Sequence, residues 1–280
     1  MQKPTGLVSG HYECRSLAES LPILKEFLAL DVIEEKNGET IVKHPNTGWQ
    51  IVVHANGPNA PIKSMRNHYG VRVTTNAEVD RATQYLERRK NVFGIKVIKP
   101  RENHNAYSVH FYEPGGNYWE IESYEHAVEH GMGQTTNPHW SRPLPADKFI
   151  GKGYVPQALT HGTLENDDLG ASERFYREVL GLEVVKLWPS SCYVKHPATP
   201  WYVVCIQAQN PNRPRLSRYQ RFTIALESRA AVHDAHREFT AQRDRWQLRE
   251  LEAVQESKDA ALFLFADLNG NWWEINSTLP

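Results

Sequence analysis

The sequence predicts an α+β fold made of four βαβββ modules, paired into two tandem domains, each a mixed sheet curled around a central cavity with helices outside. Two observations carry this. The first is a recurrence at a fixed offset. Val42-Lys43-His44-Pro45 returns as Val194-Lys195-His196-Pro197, and Trp49-Gln50-Ile51-Val52-Val53 as Trp201-Tyr202-Val203-Val204-Cys205, both shifted by 152 residues. Gly116-Asn117-Tyr118-Trp119-Glu120-Ile121 returns as Gly270-Asn271-Trp272-Trp273-Glu274-Ile275, shifted by 154. A constant offset over most of a 280-residue chain marks a tandem duplication. The second observation is that each half itself reads as two smaller units with the same order of strand and helix signals.

In the first unit a short strand around Gly10–Cys14 leads into a helix. Ser20 is the expected N-cap, Pro22 fits the first turn, and Ile23, Phe27 and Leu30 share one face. Two strand-like runs, 39–43 and 49–54, flank the turn residues Pro45-Asn46-Thr47-Gly48. The second unit reads as strand 68–74, helix 77–89, and strands 95–98, 107–112 and 118–123. The second half repeats this order from Leu159 to Ser277, with Ser172 expected to cap the helix that carries Phe175, Val179 and Leu180. The domains expected are 1–124 and 158–280, joined by a linker over 125–157.

Composition narrows the function. Lys plus Arg number 32 against 33 Asp plus Glu, a net charge of −1, with no basic block. That argues against nucleic-acid or membrane-surface partners. Cys14, Cys192 and Cys205 are too few and too scattered for a disulfide framework. The opening MQKPTGLVSGHYECRS has no apolar signal core, and no run approaches the roughly 18 apolar residues of a membrane helix. A cytoplasmic protein, assembled as a homo-oligomer, is expected.

The histidines point to chemistry. His11 lies in the first strand of unit one, His68 opens that of unit two, and Glu120 lies in unit two's last strand. If the two units pair about a pseudo-twofold axis, His11 and His68 face one concavity and Glu120 reaches in beside them. Two imidazoles and a carboxylate form the facial triad of non-haem Fe(II) sites, although Mn(II), Zn(II) and Ni(II) also suit such donors. Six residues beyond Pro114 is Glu120, and the same step from Pro45 lands on Ile51, so three protein ligands are expected rather than four.

With these residues placed, the pattern His11 … His68 … Glu113-Pro114-Gly115-Gly116-Asn117-Tyr118-Trp119-Glu120 resembles the vicinal oxygen chelate superfamily. The segment from His161 through Phe175-Tyr176 to Leu180-Gly181-Leu182 is similar to that superfamily's first strand and helix. Four modules in one chain resemble a type I extradiol ring-cleavage dioxygenase. The resemblance implies a catechol-type aromatic substrate and O2 meeting at Fe(II), with Mn(II) as the alternative ion. It implies His54 as the acid–base group, and His104 and Tyr112 as residues that hydrogen-bond the chelated substrate. His110 shares the strand face of Tyr112 and is expected to line the pocket.

The second half is expected to be structural. Arg221 stands where His68 would recur and is free to pair with Glu274, while Ile206 and Ala266 replace His54 and Tyr112. His161 and Glu274 then remain as relics. His44 and His196 recur together, which favours a structural role at a turn, and His126, His130 and His139 are expected at the surface. A glyoxalase-like lyase or isomerase and a metal-free protein that sequesters aromatics are the alternative functions.

Overall fold

The computed structural model describes residues 3–36, 39–103, 106–125, 144, 148–197, 199, 201–210 and 212–277. Four modules follow one another. The first is β1 (Gly6–Cys14), α1 (Leu17–Leu28), β2 (Asp31–Lys36), β3 (Glu39–Lys43) and β4 (Gln50–Ala55). The second is β5 (His68–Arg72), α2 (Asn76–Phe93), β6 (Lys96–Asn103), β7 (Ala106–Tyr112) and β8 (Tyr118–Ser123). The third is β9 (Ala158–Asn166), α3 (Leu169–Glu178), β10 (Glu183–Trp188), β11 (Ser191–Lys195) and β12 (Tyr202–Gln207). The fourth is β13 (Arg221–Ala225), α4 (Arg229–Ala241), the short pieces β14 (Glu250–Leu251) and β15 (Gln255–Glu256), β16 (Ala261–Ala266) and β17 (Trp272–Asn276). Among the described residues the strands form two mixed sheets, one of nine strands and one of eight.

The α+β class and the four-module plan agree with the sequence, but the partners of the modules do not. The first strand of module one, β1, pairs antiparallel with β13 of module four. The first strand of module two, β5, pairs antiparallel with β9 of module three. The chain accordingly divides into two compact units, residues 1–12 with 163–280, and residues 13–162. These bounds differ from the expected 1–124 and 158–280. The physical reason is that all four first strands present equivalent edges, so a module's own sequence carries no information about which edge satisfies its hydrogen bonds.

Within the unit spanning 13–162, β5 runs parallel to β8, with antiparallel β7 and β6 beyond it, and α2 packs on these three outer strands. The strands β2, β3 and β4 form an antiparallel meander in the same unit. In the other unit β13 runs parallel to β17, which pairs antiparallel with β16, and α4 covers those two. One tryptophan per module, Trp49, Trp119, Trp201 and Trp273, is almost wholly buried. Along β8, Trp119 and Ile121 therefore face the core, and Tyr118, Glu120 and Glu122 face the opposite side by the period of two.

Two helix starts differ from expectation. The first helix begins at Leu17 behind Ser16, so Ser20 lies inside it, where its hydroxyl bonds Glu113 Oε1 at 3.2 Å. The third is capped by Asp168, whose carboxylate accepts from the Ala171 N–H, while Ser172 bonds back to the Asp168 carbonyl. In both cases a small hydroxyl residue one turn into the helix mimics a cap in sequence. The second helix carries a full capping box, Thr75 with Glu78.

The paired turn histidines have the structural role expected of them. His44 Nε2 lies 3.0 Å from the Pro156 carbonyl, and its Nδ1 accepts the Asn46 N–H at 3.0 Å. His196 Nε2 lies 3.1 Å from the Pro4 carbonyl. Burial, partly opposed by the Pro156 carbonyl, lowers the His44 pKa from 6.5 to about 4. Between those values only the unfolded chain takes up the proton. The stability that neutral His44 confers is therefore complete above pH 6.5 and falls away as the pH drops toward 4, by roughly 3 kcal/mol in total. Urea unfolding of the His44→Asn variant from pH 7.5 to 4.5 is expected to show lower stability at pH 7.5 and a shallower acid limb than the parent.

Candidate metal centre

Three side chains of the unit 13–162 converge: His68 from the start of β5, Glu120 from β8, and His161 from β9. The parallel register sets Gly70 opposite Glu120, and the antiparallel register sets Gly70 opposite His161. The β5–β9 ladder is irregular between Gly70 and Val71, which leaves Thr160 as an extra residue on β9. Such a bulge re-aims the side chains around it. Gly70 makes the approach possible, because a Cβ there would overlap the His161 ring, 2.7 Å from its Nε2 and 2.8 Å from its Nδ1.

The distances are those of a ligand set. His68 Nε2 is 3.2 Å from Glu120 Oε2, His161 Nε2 is 3.1 Å from the same oxygen, and the two Nε2 atoms are 3.3 Å apart. Ligand atoms about 2.1 Å from one ion and at right angles to each other lie about 3.0 Å apart. The other ring nitrogens are committed elsewhere. His68 Nδ1 donates to the Met65 carbonyl at 2.6 Å. His161 Nδ1 faces Thr160 Oγ1 at 3.1 Å and Glu122 Oε1 at 3.3 Å. With both Nδ1 atoms protonated, the two Nε2 lone pairs and the carboxylate oxygen point at one another. Three buried acceptors at this spacing need a cation or a proton among them.

The electrostatics follow from that crowding. Burial alone would raise the Glu120 carboxyl, but His110, His161 and His68 outweigh it and hold the group well below the usual carboxylate range. Burial alone would lower His161, but Glu122 and Glu120 outweigh it and raise the imidazole to about 9. His110 is the cross-strand partner of Glu120, and its Nε2 lies 3.3 Å from Glu120 Oε1. Burial lowers its pKa to about 4 despite the pull of Glu120.

The expected site residues divide. His68 and Glu120 are brought together, and His110 lies beside Glu120. His11 is not part of this group: its Nε2 lies 3.0 Å from Thr223 Oγ1 and 3.9 Å from Glu274 Oε2, in the other compact unit. The third imidazole is His161, not a relic as the loss of its partner residues in the second half suggests. His54 lies on β4, in the nine-stranded sheet, beside Glu39 at 3.2 Å, whereas the cluster sits on the eight-stranded sheet. Tyr112 shares the face of Glu120 one step along, half-buried against Tyr118 with ring centroids 4.8 Å apart. His104 lies outside the described residues, as do His126, His130 and His139.

The register also settles which residues are equivalent. In β1 and β13, Ser9 faces Thr223 and Arg221 lies two residues before it, as His161 faces Gly70 and His68 lies two residues before that. The counterparts of His161, Gly70, His68 and Glu120 are therefore Ser9, Thr223, Arg221 and Glu274. His11 corresponds to Thr163, and the 152-residue offset already implied this. Arg221 holds Glu274 Oε2 through Nε at 2.8 Å and a terminal nitrogen at 2.7 Å, and it bonds the Arg218 carbonyl at 3.0 Å. The expected Arg221–Glu274 pair is present. The fourth vertex is likewise re-registered. The turn after Pro45 is one residue shorter than that after Pro114, so the residue following the buried tryptophan is Gln50, not Ile51, in module one, and Tyr202 in module three.

By sequence, no protein-family model and no curated protein matches the chain. By structure, glyoxalase I from Zea mays aligns with a TM-score of 0.67 at 12% identity, covering 97% of this chain and 92% of that one. A protein provisionally named a dioxygenase, from Bacillus subtilis, aligns with a TM-score of 0.64 at 12% identity, covering 100% of this chain and 87% of that one. At such identity the likeness is one of fold, and it extends over the whole chain.

Two variants test the local geometry. Gly70→Ala is expected to displace the His161 ring and weaken Co(II) binding by roughly a hundredfold or more, read by titration of the metal-free protein. Arg221→Ala leaves the Glu274 carboxylate buried without its guanidinium and is expected to cost about 3–5 kcal/mol in urea unfolding, with Co(II) binding unchanged.

Proposed function

We propose that this chain is a metal-dependent enzyme of the vicinal oxygen chelate superfamily, an extradiol-type dioxygenase that opens the ring of a catecholic substrate with O2. The observation that carries this reading is the convergence of two imidazole Nε2 atoms and one carboxylate oxygen at 3.1–3.3 Å. Fe(II) held by His68, Glu120 and His161 would supply a Lewis-acid and redox centre.

The chain's own residues then have distinct work. Glu120 offers one charge through Oε2, while His110 engages Oε1 and favours one-oxygen ligation. Burial of the cluster excludes bulk water and strengthens each electrostatic contact. Tyr112 and Tyr118 extend the same sheet face beyond Glu120 and are candidates to line the substrate's path. His54 has no part in this reading, since its counterpart in module three, which shares the sheet with the triad, is Ile206.

A glyoxalase-like lyase or isomerase is the second reading, favoured by the fold likeness to the Zea mays enzyme. Against it stands the convergence of three, not four, carboxylate and imidazole ligand atoms among the described residues. A metal-free aromatic-binding protein has no use for three buried acceptors facing one another.

Anaerobic preparation with Fe(II) is expected to give about one iron per chain and oxygen uptake on catechols. One metal per chain with glyoxalase activity and no oxygen uptake would favour the second reading. His68→Ala and His161→Ala are each expected to abolish both iron retention and turnover, while His11→Ala retains both. Iron loss in His11→Ala alone would return the centre to the first module.

A further inference from the structure

Bonded to one of the three converging side chains is a second group of buried residues. Arg72 ends β5 and Glu122 lies in β8, directly opposite it in the parallel register. The Arg72 guanidinium reaches Glu122 Oε1 at 2.7 Å, and that same oxygen is 3.2 Å from Thr160 Oγ1 and 3.3 Å from His161 Nδ1. Thr160 Oγ1 is itself 3.1 Å from His161 Nδ1 and 3.2 Å from the Gly70 carbonyl. All four side chains are buried. A buried ion pair is not a cheap way to stabilise a sheet. Here it also sets a second buried carboxylate two residues from Glu120, against like-charge repulsion.

The duplication supplies an internal control. At the same register in the other half, Arg72 is matched by Ala225, Glu122 by Asn276, Thr160 by Val8 and His161 by Ser9. Asn276 there bonds Glu274 Oε1 at 2.9 Å, and the half folds without a buried relay. The accessory residues are therefore present where His68, His161 and Glu120 converge and replaced where that convergence is lost. Fold alone does not require them.

We propose that Arg72, Glu122 and Thr160 form a positioning relay that fixes His161 with its Nδ1 proton directed outward and its Nε2 lone pair directed at the metal. Glu122 is then a determinant of metal affinity although it does not bind the ion. The carboxylate also increases the donor strength of the imidazole, as acceptors behind metal-binding histidines do. This inference rests on the metal reading given above.

The test uses the double variant Arg72→Ala/Glu122→Asn, which copies the pair the chain already tolerates at 225 and 276 and leaves no buried charge unpaired. Metal-free full-length protein is titrated with Co(II), whose visible bands report ligand geometry, and apo thermal unfolding is followed in parallel. The relay predicts one Co(II) per chain, affinity weaker by roughly tenfold to a hundredfold, shifted bands and a little-changed apo midpoint. Affinity and bands matching the parent would overturn it. Should the double variant not fold, Thr160→Val decides in the same way: weaker binding supports the relay and unchanged binding sinks it. Failure of the parent to bind Co(II), or parent-like binding by His161→Ala, would instead remove the metal reading and the relay with it.

Discussion

Three hydrogen-bond acceptors forced together away from water are the constraint on which the rest of this molecule turns. Two imidazole lone pairs and a carboxylate oxygen within 3.3 Å of each other repel unless a cation or proton sits among them. Partners outside the cluster enforce the arrangement. The Met65 carbonyl holds the far nitrogen of His68, and Glu122 and Thr160 hold that of His161, so neither ring can flip to relieve the contact without abandoning a buried partner. A local cost of this kind persists only when the surrounding sheet over-determines it. Here the ladders β5–β8 and β5–β9 do so.

The other half of the chain shows the same frame with the conflict removed. Arg221 places a fixed positive charge against Glu274 in the register where His68 faces Glu120. A guanidinium has no lone pair to offer a metal and several N–H groups to offer a carboxylate. Its presence converts a ligand set into an internal ion pair. The core beneath is kept, with Trp273 as fully buried as Trp119. Truncating a buried Trp of this kind costs about 3–5 kcal/mol, so packing preserves the fold in both halves while the residues above the sheet are free to diverge. Stability and chemistry occupy opposite faces of the same strands.

Much of this was legible in the chain itself. The recurrence of Trp-Glu-Ile and Val-Lys-His-Pro marks the duplication, the order of strand and helix signals within each half marks the four modules, and His68 and Glu120 stand out as ligand-type residues on the first and last strands of unit two. Partner choice was not legible, since the hydrogen-bonding edges of β1, β5, β9 and β13 carry no label. If modules one and two pair, His11 is the natural third ligand and His161 has no role. A signal was nonetheless present. The offset of 152 residues sets His161 against Ser9, not against His11, and so denies the two histidines equivalence. The helix caps failed for a different reason: Ser20 and Ser172 lie one turn inside, where a buried hydroxyl serves a side-chain or carbonyl partner.

The two halves are also separated by a coupled exchange that single substitutions cross with difficulty. His161 lies over Gly70 because nothing projects from that Cα, and at the matching place a Thr223 side chain lies opposite the small Ser9. Restoring a histidine at Ser9 alone would drive its ring into Thr223, while placing threonine at Gly70 alone would evict His161. Restoring His at Arg221 alone would supply one imidazole and leave the second missing. The backbone contact between β5 and β9 therefore acts as a steric lock on the identity of the site. A glycine, often read as a turn residue, is here the position that decides which half of the chain can gather three ligands.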